Sequence, residues 1–528
     1  MNLAPDEQAF GDNAIMSIGP SSSSNPSDAS SDEPVPDQAT PHSERQSPSD
    51  DTDGSKGQEE HNGDAFDPDA LKPSSEGPEI PLVTLRSAGT VEQRLHDVIA
   101  FVSEKMAERG SASEAEEHVA QLVAAELKAM GLTPQQQNFL GLTSAYAPYI
   151  LATGLALLSL FLFWHLRDAQ AMALAALLLL GVVIAALFYE LTLRDNPLRW
   201  WLSAEYSQNV FVHFPSVSSM SGEQAAALSK RHAPILITTH LDTHRTPWFF
   251  STPTGLRFFR LMLPLGLISL VALWVLYLVG FVTSLEALRW IALVPGAFVL
   301  LIFALLIQAA RSPFSPGAND NASGIAAGLE LAAQLAQSPL QHHEVHLVFT
   351  GGGEAGGSGA DAFIREHLHA REHLHAREHV HAGATRPIHL VINRIAGPGT
   401  QPTVLQSETL LQLAASATGL LQLAQQVQAA HPEFQAQMRR VSATYSELSL
   451  GARHGLRPLA FTALPASNAA DDASVPHWHQ PSDTVANCDI DVAARTTALI
   501  WGVLQAIDLT DAADVVGVDL AKPAPEVR

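Results

Sequence analysis

Residues 315–324, with the sequence SPGANDNASG, form a Gly- and Asn-rich turn that leads into a predicted helix over 325–335. One carboxylate, Asp320, stands where the turn meets the helix. An Asp at this position is usually an N-cap, but capping does not require the Gly-Ala-Asn before it or the Asn-Ala-Ser-Gly after it. The stretch is the most specific motif in the chain, and it indicates a role for Asp320 beyond capping.

Three further polar sites lie around this motif. A short β-rich run at 235–239 leads directly into His240-Leu241-Asp242, and a second run at 345–350 leads into a glycine-rich turn that carries Glu354. Near the C-terminus, His479 precedes Gln-Pro-Ser-Asp, with His477 close by. The ends of buried strands are common places for ligands in α/β sheets. A His-x-Asp triplet by itself also fits a structural histidine paired with a carboxylate.

Four uncharged apolar stretches interrupt this pattern, at 141–164, 169–189, 261–285 and 290–310. Each is near the roughly 20 residues that a helix needs to span hydrocarbon. They predict two transmembrane hairpins, and buried core helices are the alternative. Arginines on the domain side of the hairpins outnumber those in the short turns, which favours a cytoplasmic domain: Arg194, Arg199, Arg257, Arg260 and Arg311 against Arg167 and Arg289.

Composition restricts the remaining possibilities. The net charge is −24, and 18 acidic against 3 basic side chains lie before residue 80, in a Ser- and Pro-rich stretch over 1–81 that predicts a disordered tail without a cleavable secretory signal. No basic cluster supports nucleic-acid binding. Cys488 is the only cysteine, so a metal must be held by His and carboxylates.

A hexapeptide repeat, REHLHA twice and then REHVHA, occupies 365–382. A period of six matches neither helix nor strand, so its histidines would spread around a helix instead of forming one chelating face. We expect a solvated insertion rather than a metal site. The histidines concerned are His367, His369, His373, His375, His379 and His381.

Short β-rich runs alternate with helical segments, which predicts an α/β fold with helices on both faces of a sheet. Two amphipathic helices are predicted at 91–106 and 113–130, the second ending before Gly131. The predicted organisation is a tail over 1–81, a peptidase-like domain in three pieces (91–140, 205–255 and 315–510), hairpins at 141–189 and 261–310, and a flexible end at 511–528.

Together the motifs and their order resemble the dizinc aminopeptidases and carboxypeptidases of metallopeptidase family twenty-eight, clan MH, over about 91–509 without the hairpins. The resemblance implies a mixed β-sheet flanked by helices, of the phosphorylase/hydrolase-like type. It implies that His240 binds one zinc, that His479 binds the second, and that Asp320 bridges both. It also implies that Asp242 orients His240 from outside the metal shell.

The chain departs from the family pattern at two positions. The family frame Thr-Gly-x-Glu-Glu-x-Gly carries a general base and then a zinc ligand, and here Gly353 replaces the base while Glu354 keeps the ligand position. After the predicted strand at 388–392, Asn393 stands where the family has an Asp ligand. A neutral amide is a poorer zinc ligand, and Arg394 adds positive charge. Two zinc ions are expected from the family, and one or two here.

The resemblance implies a membrane metallopeptidase of the aminopeptidase type, with peptide substrates, lipid contact and an oligomeric state that the sequence leaves open. The alternative from another class is an inactive peptidase fold kept as a membrane scaffold or binding protein. A histidine-rich zinc buffer ranks last, because the apolar stretches carry no internal charge to mark an ion path. Restoring both carboxylates, by Gly353→Glu and Asn393→Asp, is expected to rescue activity if only those losses matter.

Overall fold

The computed structural model describes residues 89–166, 169–218, 232–283, 285–369, 386–442, 444–466 and 475–510. The predicted tail over 1–81, the hexapeptide repeat beyond His369 and the predicted flexible end at 511–528 lie outside these residues.

Within the described residues, nine strands form one sheet in the order β1-β2-β4-β3-β5-β9-β6-β7, with β8 paired to β6. The four central strands, β4, β3, β5 and β9, are mutually parallel, whereas β1, β2 and β6 join antiparallel. The predicted mixed sheet is therefore confirmed. The strands are β1 (Gln135–Leu142), β2 (Ala204–Phe214), β3 (Ile235–His240), β4 (Val345–Thr350), β5 (Ile388–Ile392), β6 (Thr400–Thr409), β7 (Leu413–Ala415), β8 (Gln437–Ser442) and β9 (Arg457–Pro465).

Helices cover both faces of this sheet. The helices outside the hairpins are α1 (Val91–Lys105), α2 (Glu114–Ala129), α7 (Ser323–Gln337), α8 (Ser358–Phe363), α9 (Thr418–Ala430), α10 (Glu447–Arg453) and α11 (Ile490–Leu509). Alternation along β3 explains the two layers, because Ile237 packs in the cluster under α1, α2, α7 and α11, while Leu236 packs on the opposite side with α8 and α10.

The first two helices follow their sequence signals closely. The hydroxyl of Thr90 accepts the amide N–H of Gln93 in a capping box, which starts α1. The Ser113 side chain accepts the amide N–H of Glu116 and so caps α2, and Gly131 follows that helix with φ +78°. The predicted helices at 91–106 and 113–130 are thus confirmed to within a residue or two at each end.

The apolar stretches form four long helices, α3 (Ala147–Leu166), α4 (Gln170–Leu191), α5 (Pro253–Val282) and α6 (Ala287–Ala310). Two of the predicted starts are wrong. Residues 141 and 142 are the last two of β1, where they pair with residues 205 and 204 of β2. Helix α5 begins at Pro253, because Thr252 caps it and proline suits a first helical position. Its first turns carry Arg257 and Arg260, and for this reason the uncharged apolar stretch began only at residue 261.

Five helices in the described residues are long and apolar enough to cross a membrane: α3 to α6 and α11. Helix α11 differs from the others because its apolar side chains, among them Leu499, Val503 and Leu504, pack in the main core under the sheet. Helices α3 to α6 instead pack on one another, with Phe163 stacked on Tyr277. Their outer faces leave large apolar residues exposed, including Phe161, Leu178, Ile268 and Val294.

Candidate metal centre

Three neighbouring parallel strands end at the same edge of the sheet and carry the predicted site residues. His240 is the last residue of β3, Glu354 lies on the turn after β4, and Asn393 directly follows β5. The turn before α7 brings Asp320 to this edge, and a loop after β9 brings His479. Sequence motifs far apart in the chain are therefore assembled at one place, as expected for the carboxyl edge of an α/β sheet.

Asp320 lies between the two imidazoles. Its Oδ1 is 3.5 Å from Nε2 of His240, and its Oδ2 is 3.3 Å from Nε2 of His479. Within the described residues, the buried Oδ1 has no hydrogen-bond partner. Zinc–ligand bonds of about 2.0–2.2 Å at tetrahedral angles separate ligand atoms by roughly 3.3–3.6 Å. The donor set and its spacing therefore fit zinc, with one carboxylate oxygen directed at each of two positions.

Asn393 completes the first position. Its Oδ1 lies 3.4 Å from Nε2 of His240, on the side where Asp320 Oδ1 also approaches. The carbonyl oxygen of an amide can coordinate a cation, but it brings no negative charge. This position therefore offers one imidazole, one carboxylate and one neutral oxygen.

The second position is richer in ligands. Oε1 of Glu354 is 3.8 Å from Nε2 of His479. Ligand atoms of Glu354, His240 and Asp320 also lie within 4.8 Å of one another, so Glu354 lies between both metal positions. A further imidazole, His244, groups with Glu354 and His479, all three ligand atoms lying within 4.8 Å of one another. The neighbouring late histidine, His477, instead hydrogen-bonds Ser482 through its Nδ1.

His244 is a site residue that the motifs did not reveal. Its ring stacks on that of His479 with centroids 3.7 Å apart and planes at 12°. Its Nδ1 donates to the carbonyl of Arg245, and its Nε2 faces the hydroxyl of Tyr146 at 3.2 Å. Burial, and then the neighbouring His479, lower the pKa of His244 to about 4, so it is a neutral imidazole near pH 7.

Asp242 connects His240 to the glycine-rich turn. Its Oδ1 is 3.3 Å from Nδ1 of His240 and accepts the amide N–H of Gly353 at 2.9 Å. Its other oxygen accepts the amide N–H of Glu354 at 3.0 Å and the hydroxyl of Ser111. One buried carboxylate thus fixes both an imidazole and the backbone that carries Glu354.

Gly353 lies too close to His240 to carry a side chain. A Cβ at this residue would stand 2.4 Å from Cβ of His240 and 3.1 Å from an oxygen of Asp242. The backbone of the glycine-rich turn therefore lies against the end of β3, without space for a side chain at residue 353. Adding a glutamate here requires the turn or His240 to move.

The charges at the site are strongly coupled. Burial alone would raise the pKa of Asp320, but the adjacent imidazoles of His240 and His479 hold that pKa well below its ordinary value. Burial opposes protonation of His240, yet Asp242 and then Asp320 raise its pKa well above the usual range. The two carboxylates thus form an anionic centre suited to a cation.

A buried guanidinium braces the loops that carry these residues. Arg109 is fully buried and donates to the carbonyls of Leu241, Pro316 and Gly317 at 2.7–2.9 Å. Burial lowers its pKa to about 10, so it remains charged at neutral pH. No local motif marks it, because these three carbonyls are more than a hundred residues away along the chain.

Asp483, in the Pro-Ser-Asp segment after His479, holds the Asp320 turn. Its carboxylate accepts the amide N–H groups of Asn319 and Asp320 at 2.8 and 3.1 Å. The loop that supplies the late histidine is thereby joined to the turn that supplies the central carboxylate.

The site opens into a cavity of about 220 Å³. A third acid in its wall is Glu447, at the start of α10, whose Oε1 accepts the hydroxyl of Thr350 at 2.7 Å. Its buried Oε2 has no hydrogen-bond partner within the described residues. Apolar and aromatic side chains form much of the remaining wall, including Tyr146, Phe250, Leu263, Leu306 and Trp478.

Solved structures similar to the chain include a zinc aminopeptidase from Bacillus subtilis, with 12% identity, a TM-score of 0.44 and coverage of 81% of this chain and 98% of that one. An aminopeptidase from Aneurinibacillus sp. strain AM-1 has 12% identity, a TM-score of 0.43 and coverage of 80% and 94%. A glutaminyl cyclase from Bacteroides thetaiotaomicron, bound to N-acetylhistamine, has 11% identity, a TM-score of 0.41 and coverage of 79% and 96%. No curated protein matches the chain.

The family model described as peptidase family M28 matches residues 308–504. This segment contains Asp320, Glu354, Asn393 and His479, and it excludes His240 and three of the four long apolar helices. Residues 308–504, which supply most of the candidate metal ligands, are therefore similar to peptidase family M28.

Proposed function

We propose that the chain is a membrane-anchored zinc exopeptidase of the aminopeptidase type, which hydrolyses the N-terminal amide bond of peptides. The observation that carries this proposal is the position of Asp320 between the Nε2 atoms of His240 and His479, with one buried oxygen unpaired in the described structure. The aminopeptidase activity named for similar solved structures agrees with it.

Zinc bound here would polarise the scissile carbonyl and acidify a water molecule. His479, Asp320 and Glu354 would hold the stronger ion, and His244 would add an imidazole beside it. His240, Asp320 and Asn393 would hold a weaker one, with Asp242 orienting His240. One firmly bound zinc and a second at higher concentration are therefore the proposed occupancy.

Because Gly353 has no side chain, another group must accept the proton of the attacking water. Glu447 lines the cavity and has an unpaired buried oxygen among the described residues. Burial raises its pKa, which brings a carboxylate closer to the range that suits a general base at neutral pH. We assign proton acceptance to Glu447 and metal binding to Glu354.

Four membrane spans, α3 to α6, belong to the same proposal. Their apolar outer faces are exposed, whereas α11 is packed under the sheet. The even number of spans keeps the pieces of the domain on one side, and the arginine distribution favours the cytoplasmic side. The proposed domain boundaries are those predicted from the sequence.

The alternative function is a membrane binding protein without turnover. Two observations favour it: Gly353 leaves no space for a base, and Asn393 removes a charge from the first metal position. Under this alternative the protein keeps the peptidase fold and binds at most one metal ion.

Full-length protein in lipid nanodiscs tests the two functions. We expect at least one zinc per chain by elemental analysis and hydrolysis of aminoacyl anilides. Asp320→Asn should abolish both, whereas Asp491→Asn, at an exposed position on α11, should leave both unchanged. Stoichiometric zinc without turnover supports the binding protein, and protein without zinc after loading contradicts the metal site itself.

A further inference from the structure

A second cavity, of about 110 Å³, lies among the four long helices. Its wall is almost wholly apolar. The exceptions are Tyr149 and Thr153, and the Thr153 hydroxyl already donates to the carbonyl of Tyr149 at 2.7 Å. The apolar wall includes Leu187, Phe258, Met262, Leu270, Val299 and Ile302. The wall therefore offers little to a polar ligand and much to a hydrocarbon one.

This cavity adjoins the metal centre. Five side chains line both spaces, namely Tyr149, Leu191, Phe259, Leu263 and Leu306. From Leu306 the wall continues along α6 to Val299, seven residues further into the helix bundle, or roughly 10 Å at 1.5 Å per residue. An apolar group that begins at the metal ligands can thus extend between the helices.

The positively charged side chain of Arg394 lines another part of the site cavity. Arg394 is 9% exposed, and within the described residues its Nε is buried without a hydrogen-bond partner. Its guanidinium lies 5.0 Å from the ring centroid of Trp478. Arg394 also borders a small side pocket with Thr444 and Thr462. A guanidinium whose N–H groups are available can donate two parallel hydrogen bonds to a carboxylate.

We propose that the substrate is an N-acyl amino acid, with a long aliphatic chain joined through an amide to an amino acid whose carboxylate is free. The chain occupies the cavity between the helices, the amide lies at the metal ligands, and the carboxylate binds Arg394. This inference rests on the zinc-dependent amide hydrolysis proposed above. The acyl group takes the place that the N-terminal residue of a peptide would take.

The reaction needs water alone as co-reactant. Water adds its oxygen to the acyl carbonyl carbon, the C–N bond breaks, and the leaving nitrogen takes a proton. The products are a fatty acid, whose chain lies among the helices, and a free amino acid, which leaves on the polar side.

Binding is measured first with metal-free protein in nanodiscs, so that no turnover interferes. Calorimetry compares N-acetylglycine, N-decanoylglycine and N-decanoylglycinamide. Each buried methylene should strengthen binding by roughly fourfold, so the decanoyl compound should bind at least about 100-fold more tightly than the acetyl compound. The glycinamide, which lacks the carboxylate, should bind about 10-fold more weakly than its glycine counterpart.

Two matched pairs of variants locate these effects. Leu263→Trp fills the wall shared by both cavities and should remove the gain from the longer chain. Leu261→Trp, on the same helix but 56% exposed on its outer face, should keep that gain. Arg394→Met should remove the preference for glycine over glycinamide, whereas Arg440→Met, at an exposed residue of β8, should keep it.

Equal binding of the acetyl and decanoyl compounds, or equal effects of the two tryptophan variants, overturns the proposal and indicates a bilayer lipid in the cavity. Chain-dependent and carboxylate-dependent binding without hydrolysis after zinc loading supports the ligand assignment and contradicts the proposed activity. Hydrolysis of short aminoacyl anilides without chain-length preference supports the activity and overturns the ligand assignment.

Discussion

Gly353 controls the distance between the glycine-rich turn and His240. Because an added Cβ would stand 2.4 Å from Cβ of His240, Gly353→Glu must displace a candidate ligand. We expect this variant to weaken zinc binding by at least about 10-fold, as measured by competition with a chelator. Gly154→Ala is the control, since its Cβ meets nothing closer than 3.5 Å. Gain of turnover with unchanged zinc affinity would show that the turn adapts freely.

Asn393 differs from Gly353 because it already has a side chain in the right place. Its Oδ1 is 3.4 Å from Nε2 of His240, so Asn393→Asp changes the charge with little change in shape. We expect zinc content to rise from about one toward two ions per chain, measured by elemental analysis after equilibration with zinc. Asn138→Asp, on an exposed position of β1, should leave the content unchanged. An unchanged content in both variants contradicts this account of the first position.

Glu447 is expected to affect turnover and not metal content. Glu447→Gln preserves the shape and the hydrogen bond from Thr350 but cannot accept a proton, so kcat should fall by about 10²–10⁴. Zinc content should stay the same. Glu354→Gln should instead lower zinc content, which separates the two roles. Full turnover in Glu447→Gln would contradict the assignment of proton acceptance to Glu447.

The elements around the site explain how far the sequence could predict it. The strands β3, β4 and β5 are short, apolar and bounded by glycines or polar residues, so their positions and the residues that follow them were predictable. Arg109 and His244 were not, because their roles depend on contacts across the fold. Arg109, for example, bonds a carbonyl 132 residues away. The uncharged apolar stretches identified α3 to α6 but not α11, which carries charges such as Arg495 and packs in the main core.

Arg109 joins the loop after β3 to the turn before α7, and its removal should loosen both. Arg109→Met leaves three carbonyls without their donor and removes a cation that lies near Asp483, Asp242 and Asp320. Breaking a buried charged network costs about 3–5 kcal/mol. We expect a loss of this size in the free energy of unfolding of detergent-solubilised protein. Arg440→Met is the exposed control, and equal stability of the two variants contradicts the bracing role.

At the scale of the whole molecule, both hairpins join the domain beside the candidate metal centre. Helix α3 begins just after Tyr146, and α5 begins just after Phe250, both in the wall of the site cavity. The apolar hairpins therefore help to enclose the candidate metal centre. A soluble domain cut free of the hairpins would lose one wall of its site.

This arrangement predicts that the helix turns and the domain lie on opposite sides of the membrane. In a Cys488→Ala background, Leu285→Cys places a thiol in the turn between α5 and α6, and Leu411→Cys places one on the domain between β6 and β7, both at exposed residues. A membrane-impermeant maleimide should label only the turn cysteine in intact cells, and both cysteines after permeabilisation. If the domain faces the exterior instead, the pattern in intact cells reverses. Equal labelling of both thiols in intact cells would place them on one side and contradict a bilayer crossing by α5 and α6.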